Sequence, residues 1–508
     1  MYFPNSRKDS ELAELRSVSV SEENDSFVLK EKSVKDLISL MENNVYSSEQ
    51  IMNLYLNRID RLNPLLHAVL DISTDAIEEA RECDKKRKAG EKLPLLGVPV
   101  LIKDNIEVRG LVNSAGSLAL EDYIATEDAP LVKKLKDAGA VIFGKTNMSE
   151  WAFYRSSSGI SGWSGRGMRV RNPYSLDRST YGSSSGSACA VSANLCALAV
   201  GTETDGSIVG PSALCGIVGI KPTHSLINGE GIIPLASSFD TPGPMARSVE
   251  DAAIMLSVMS SGSRYSDDYS KNLNIHAIHN TRIGLINNEL TQKSFIINEL
   301  KKNLSILNDS GATVIDVHLE NIDAWRECEL KAFSYEFRKD LNLYLKKRKH
   351  RIQSLKDVIQ FNLDHSNEEL VFFDQDLLEN AQACTISDEE GKELIEKAKL
   401  LTGKNGIDRL LDDNELDCLI AVETIPAWKA DYINGDPLHE VSGSIAAVSG
   451  YPSICVPMGN IGGLPLGMLF ISRKYSEKQL IDLAYSYEQL SRQRIVPNFY
   501  QNIEFDRE

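Results

Sequence analysis

The chain has no run of about 18 apolar residues such as a membrane-crossing helix needs. Its opening residues, MYFPNSRKDSELAELRSVSVSEENDS, lack the apolar core of a secretory signal. Both absences lead to the expectation of a soluble, cytoplasmic protein with no membrane partner. Cysteine is sparse and scattered. The eight residues, Cys83, Cys189, Cys196, Cys215, Cys328, Cys384, Cys418 and Cys455, make no CxxC pair and no His/Cys cluster. That argues against a disulfide scaffold or a metal centre and for reduced, mostly buried thiols. Positive charge is also short: 55 Lys and Arg against 72 Asp and Glu leave a formal charge of −17. A general affinity for nucleic acid or anionic membrane needs a cationic footprint that is missing here. The one basic cluster, KKRKHR from Lys346 to Arg351, reads as a solvated helix face. No internal repeat or low-complexity linker divides the chain, and its 508 residues, 42% of them hydrophobic, can bury one large core.

A polar extension reaches to about Lys30, and the remainder, 31–508, reads as one large domain. The spacing in VKDLISLM and EQIMNLYLNRIDRL predicts two helices, the second capped by Ser47 or Ser48 and stopped by Pro64. Ala76 to Gly90 reads as a charged helix ending at glycine, and Gly97 to Ile102 as a short strand with Lys103 at its end. APLVKKLKDAGA is then helical, AVIFGK a buried strand, MSEWAFY a helix start, and SACAVSANLCAL a small-residue helix. This alternation implies an α/β layered fold. From Ser294 to about Leu401 the pattern is mainly charged and helical.

Two motif matches carry less than they promise. GAVIFGKT, from Gly139, satisfies the phosphate-loop spacing, but Ala-Val-Ile-Phe is a strand sequence and cannot curl its N–H groups around phosphate oxygens. GSSSG, from Gly182, fits a nucleophile elbow with Ser184 as nucleophile. That elbow follows a hydrophobic strand, whereas RSTY precedes it here. None of His224, His276, His279, His318, His350, His365 and His439 has the setting of a catalytic base.

The chemistry concentrates instead in Lys103, in the apolar run GVPVLIKDN, and in two serines, Ser183 and Ser207, of RSTYGSSSGSACAVSANLCALAVGTETDGSIVGP. A serine hydroxyl needs a base, and a lysine serves as one only while neutral. A desolvated Lys103 meets that condition.

These residues resemble the amidase signature family, whose catalytic unit is Ser-Ser-Lys. The resemblance extends through KTNMSEWAFYRSSSGISGWSGRG, RNPYSLDRS, SFDTPGPMARSVEDAA and SGYPSICVPMG, and covers about Ser33 to Arg492. It is weakest from about 262 to 405, the interval expected to cover the catalytic face. It implies a mixed central β-sheet flanked by helices, with Ser207 as nucleophile, Ser183 as proton relay in a cis peptide bond, and Lys103 as base. It places an oxyanion hole at the backbone of Thr204, Asp205, Gly206 and Ser207, with Ser184 beside it. It requires no metal or organic cofactor and leaves a homodimer open.

Many family members read Gly-Gly-Ser-Ile-Arg at the nucleophile, whereas this chain reads Asp205-Gly206-Ser207-Ile208-Val209. The arginine is absent and a carboxylate stands in the turn. TETDGSIV, GWSGRG and RNPYSLDRS resemble the peptide amidase branch, whose members deamidate C-terminal carboxamides. The leading expectation is an amidohydrolase acting on a peptide C-terminal amide or a small amide. Two alternatives stand beside it: the ammonia-generating subunit of a tRNA-dependent amidotransferase, and a non-catalytic protein on the same fold.

Overall fold

The computed structural model describes residues 27–437 and 441–503. The polar extension lies outside the described residues as far as residue 26, and so does His439. At the described end of that extension Leu29 is fully buried, and Phe27 meets Tyr55 edge-on with ring centroids 5.6 Å apart.

Short β-rich runs assemble into one 11-stranded sheet. Its strands are β1 (Val69–Ile72), β2 (Pro99–Lys103), β3 (Val141–Thr146), β4 (Leu198–Glu203), β5 (Val218–Lys221), β6 (Thr241–Ala246), β7 (Arg282–Ile286), β8 (Thr313–Val317), β9 (Cys418–Val422), β10 (Ser453–Ile461) and β11 (Leu464–Ile471). In space they run β1-β3-β2-β4-β6-β5-β10-β11-β9-β7-β8. The triplets β3-β2-β4 and β9-β7-β8 are parallel, and the other neighbours pair antiparallel. The result is the mixed α/β sheet expected, in a single domain. Val100 and Ile102 of β2 join one buried apolar cluster and Leu101 another, so this strand is covered on both faces. By the alternation of a strand, Lys103 follows Leu101. The cost of putting an ammonium there is what the site exploits.

Ser47 caps the Ser48–Leu66 helix in a reciprocal capping box with Gln50. Pro64 does not stop that helix, which runs two residues past it to a left-handed His67 whose N–H reaches Asn63 O. Proline deprives the helix of one bond, the one its own N–H would make one turn back, and the helix ends within a turn of it. MSEWAFY does not begin an α-helix either. Trp151, Ala152 and Phe153 take φ of 49°, 58° and 73°. Their segment is held from outside: Glu150 N–H donates to Trp163 O (2.9 Å) and Trp151 N–H to Ala115 O (3.0 Å). The 294–401 interval is mainly helical, but Thr-Val-Ile-Asp-Val within it forms β8 on the sheet edge. KKRKHR is not a solvated helix face. The helix ends at Lys346, Arg348 then pairs with Glu107 at 2.8 Å and His350 with Asp122 at 2.8 Å.

The long helix Ile322–Lys346 packs with Leu355–Asp364, Asp376–Ala383 and Asp388–Thr402 around an apolar cluster that also takes in Trp151 and Phe239. These helices form a cap beside the ends of β4 and β6. GAVIFGKT is strand β3, its Lys145 Nζ donating to Val112 O (3.0 Å) and Asn113 Oδ1 (2.9 Å). All eight cysteines are free, and only Cys384 is not buried.

Candidate active site

β2 and β4 are parallel neighbours, so their carboxyl ends meet at one edge of the sheet, where ligand crevices of α/β folds form. Lys103 is the last residue of β2, and the turn Thr204–Ser207 follows directly on β4. Ser183 and Ser184 come from the loop that enters the Ser185–Ser192 helix, and the Gly182–Ser183 peptide bond is cis.

Lys103 is fully buried. Its Nζ lies 2.8 Å from Ser183 Oγ, 2.9 Å from Ser184 Oγ, 3.0 Å from Thr202 O and 2.9 Å from Thr202 Oγ1. Burial pulls its pKa down to about 7, against a smaller upward pull from Asp240 and Glu203. A neutral amine has two protons and one lone pair. Thr202 O can only accept, and Ser184 has its own proton committed to that same carbonyl at 3.0 Å. That leaves the hydroxyls of Ser183 and Thr202 to face the lone pair, and a Ser183 proton turned toward it is the arrangement a relay to a base requires.

Ser184 N–H donates to Ser207 O at 3.2 Å, which ties the two serine loops together. The Ser184 side chain is fully buried and holds Lys103 and β4, while its backbone stands beside Ser207. Ser183 and Ser207 are 1% and 7% exposed, so the site is nearly closed to bulk water. Gly206 has φ of +72°, a conformation that side chains rarely adopt, and so supplies the reversal that brings Ser207 round. Gly182 is required for space: a Cβ there would stand 2.1 Å from Ser149 Oγ, whose own N–H holds Ser183 O at 3.1 Å.

Several contributors have no signal in the sequence. Glu203 Oε2 accepts from the N–H groups of Ile208 (2.7 Å) and Val209 (3.0 Å), pinning the residues after Ser207. Burial raises its pKa, against the pull of Lys221 and those two N–H groups. Asp240 Oδ1 accepts the Thr204 hydroxyl at 2.5 Å and Oδ2 accepts Leu235 N–H at 2.9 Å. Burial raises its pKa to about 7. Arg326, from the long helix, reaches Asp205 Oδ2 at 2.9 Å. Ser237 and Ser238 link the cap to the Asp240 turn, a role that the segment SFDTPGPMARSVEDAA, which Ser238 opens, does not announce. Among the described residues no group of three or more His, Cys, Asp or Glu is placed to hold a metal ion, and no helix is long and apolar enough to cross a membrane.

The Amidase family model matches residues 50–481. A probable amidase of Arabidopsis thaliana is 36% identical over 493 residues, covering 93% of this chain and 92% of the relative. The native peptide amidase of Stenotrophomonas maltophilia superposes with a TM-score of 0.89 at 43% identity, covering 93% of this chain and 99% of that one. One subunit of the glutamyl-tRNA(Gln) amidotransferase of Thermoanaerobacter pseudethanolicus is 30% identical over 483 residues, covering 90% of this chain and 96% of that protein. Family match, fold and breadth of coverage agree, and the chain is an amide-hydrolysing enzyme that belongs to the amidase signature family.

Proposed function

We propose that this enzyme hydrolyses the C-terminal carboxamide of peptides to the free acid and ammonia, through an acyl-enzyme on Ser207. The observation that carries the reading is the contact of Ser183 Oγ with Nζ of a fully buried Lys103, 2.8 Å away. Ser207 Oγ attacks the amide carbonyl as its proton passes to Ser183 and that of Ser183 to the Lys103 lone pair. The carbonyl oxygen gains the negative charge, which the N–H groups of the 204–207 turn stabilise. One such donor is worth about 3 kcal/mol. The proton returns along the same path to the departing nitrogen, ammonia leaves, and water then opens the Ser207 ester with the relay running as before. A peptide amide is favoured because a peptide amidase shares 43% identity over 93% of this chain. The amidotransferase relatives, at 30–32% identity, favour the ammonia-generating reading less.

Ammonia release from an N-blocked peptide amide by the purified chain, with Ser207→Ala as control, tests this. Release that disappears in the variant supports the reading. Turnover of simple aliphatic or aryl amides alone rejects the peptide substrate, and silence on all of them favours the amidotransferase role.

A further inference from the structure

The nucleophile turn is met by a cation from far along the chain. Val209 is fully buried with its N–H on Glu203, while Arg326 comes from a helix 121 residues beyond Asp205. Arg326 Nη1 lies 2.9 Å from Asp205 Oδ2 and 3.1 Å from Glu329 Oε2, and Nη2 lies 2.9 Å from Ser444 Oγ. Its guanidinium also stacks 4.7 Å from the Trp325 ring centroid. One side chain thus joins the nucleophile turn, the long helix and the Ser444–Ser449 helix.

The same helix face grips the other flank of the turn. Positions 326, 329, 336 and 340 recur at helical spacing. Glu336 accepts the Ser238 hydroxyl (2.7 Å) and N–H (3.1 Å), and Asp340 accepts the Ser237 N–H (2.9 Å). That turn leads to Asp240, which takes the Thr204 hydroxyl. Thr204 and Asp205, consecutive in the turn, are therefore held from two points on one helix. Asp205 also places a negative charge next to the N–H groups meant for an oxyanion. Left unpaired, it would oppose the charge that develops there.

We infer that Arg326 is a positioning residue for the reaction: it fixes Asp205 and neutralises it, so that the 204–207 backbone is set to receive the oxyanion. The inference rests on the Ser207 reading above. It differs from substrate recognition by Arg326, because the effect on the reaction is read through Asp205, while Glu329, Ser444 and Trp325 hold the guanidinium in place.

A double-mutant cycle on the full chain separates the two, using ammonia release from the N-blocked peptide amide. Arg326→Gln is expected to lower kcat by about 30- to 100-fold, as displaced catalytic geometry does, with KM nearly unchanged. Arg326→Lys is expected to recover part of the loss. In an Asp205→Asn background the same Arg326→Gln change is expected to cost less than about threefold in kcat, since the charge beside the oxyanion turn is gone and the remaining partner, Glu329, lies on the helix and not in that turn. An unchanged kcat in Arg326→Gln, an equal loss in both backgrounds, or a change confined to KM would overturn the inference. If Arg326→Gln does not fold, Ser444→Ala, which removes one of its holds, is expected to lower kcat at a native melting temperature; no change in kcat there counts against it. Activity surviving in Ser207→Ala would overturn the underlying mechanism instead, whereas an inactive Ser207→Ala with an unaffected Arg326→Gln overturns only the role of Arg326.

Discussion

Lys103 Nζ and Ser183 Oγ approach to 2.8 Å although 80 residues separate them in the chain. One sits at the end of a central strand, the other in the loop feeding a small-residue helix, so the contact exists only when β2, β4 and that helix are packed. The same packing removes water from the amine and makes it a base.

Replacing Lys103 by methionine keeps the volume and removes the lone pair. General-base catalysis contributes about 10²–10⁴-fold, and Lys103→Met should lose at least that in kcat. The melting temperature should change little, since the methionine escapes the cost of desolvating an amine, which offsets the hydrogen bonds lost at Ser183, Ser184 and Thr202. Turnover and thermal unfolding of the same preparation check both halves; a mild kinetic effect would move the base elsewhere.

The pH profile follows from the depressed lysine. Below its pKa Lys103 is an ammonium and cannot accept the Ser183 proton, so activity should fall as pH drops through about 7 and level off above it. Asp240 titrates in the same range, so the apparent value belongs to the pair. Asp240→Asn removes an anion that raises the pKa of Lys103, and the acid limb of kcat/KM should move to lower pH. A limb that stays or moves upward contradicts the assignment.

Glu203→Ala should destabilise the protein, because two buried N–H groups, those of Ile208 and Val209, lose their acceptor. Each unsatisfied group costs about 1–3 kcal/mol. Glu203→Gln keeps an acceptor oxygen and should be much milder. Denaturant unfolding of the two variants tests the difference; equal losses would mean that the charge, not the acceptor, matters.

Gly182→Ala should fold with reduced stability and lose about 10²-fold in kcat, since its methyl group would have to displace Ser149 from beside Ser183. Full activity in this variant would mean that the loop has room the structure does not contain.

What is legible in the sequence is what local chemistry determines. A β-branched run ending in Lys103, glycine at the close of helices, and the capping serine Ser47 all act within a few residues, and the structure places them as expected. The Ser/Gly loops are conspicuous because few other segments are so poor in large side chains. Long-range partners leave no such trace. Arg326 is one of many charged residues on a charged helix, and only folding brings it to Asp205. Asp240 lies in a segment of familial appearance that by itself assigns it no role. The left-handed turn at Trp151 is hidden because its backbone bonds go to Ala115 and Trp163, neither of them adjacent in sequence. The inward direction of Ser184 is hidden too, because adjacency to Ser183 says nothing about which way a hydroxyl points.

The grip of the Ile322–Lys346 helix on both flanks of the nucleophile turn bears on how this enzyme can be re-engineered. The cap is an obvious cassette for altering substrate range, since its long helix lies directly against the nucleophile turn. Yet a transplanted cap without an equivalent of Arg326 would leave Asp205 bare, and one without Glu336 and Asp340 would release the turn that carries Asp240. The exchangeable unit is therefore discontinuous: the helix must travel with the two short turns it grips, and a chimera joined only at the cap boundaries inherits new contacts for substrate together with a misaligned nucleophile.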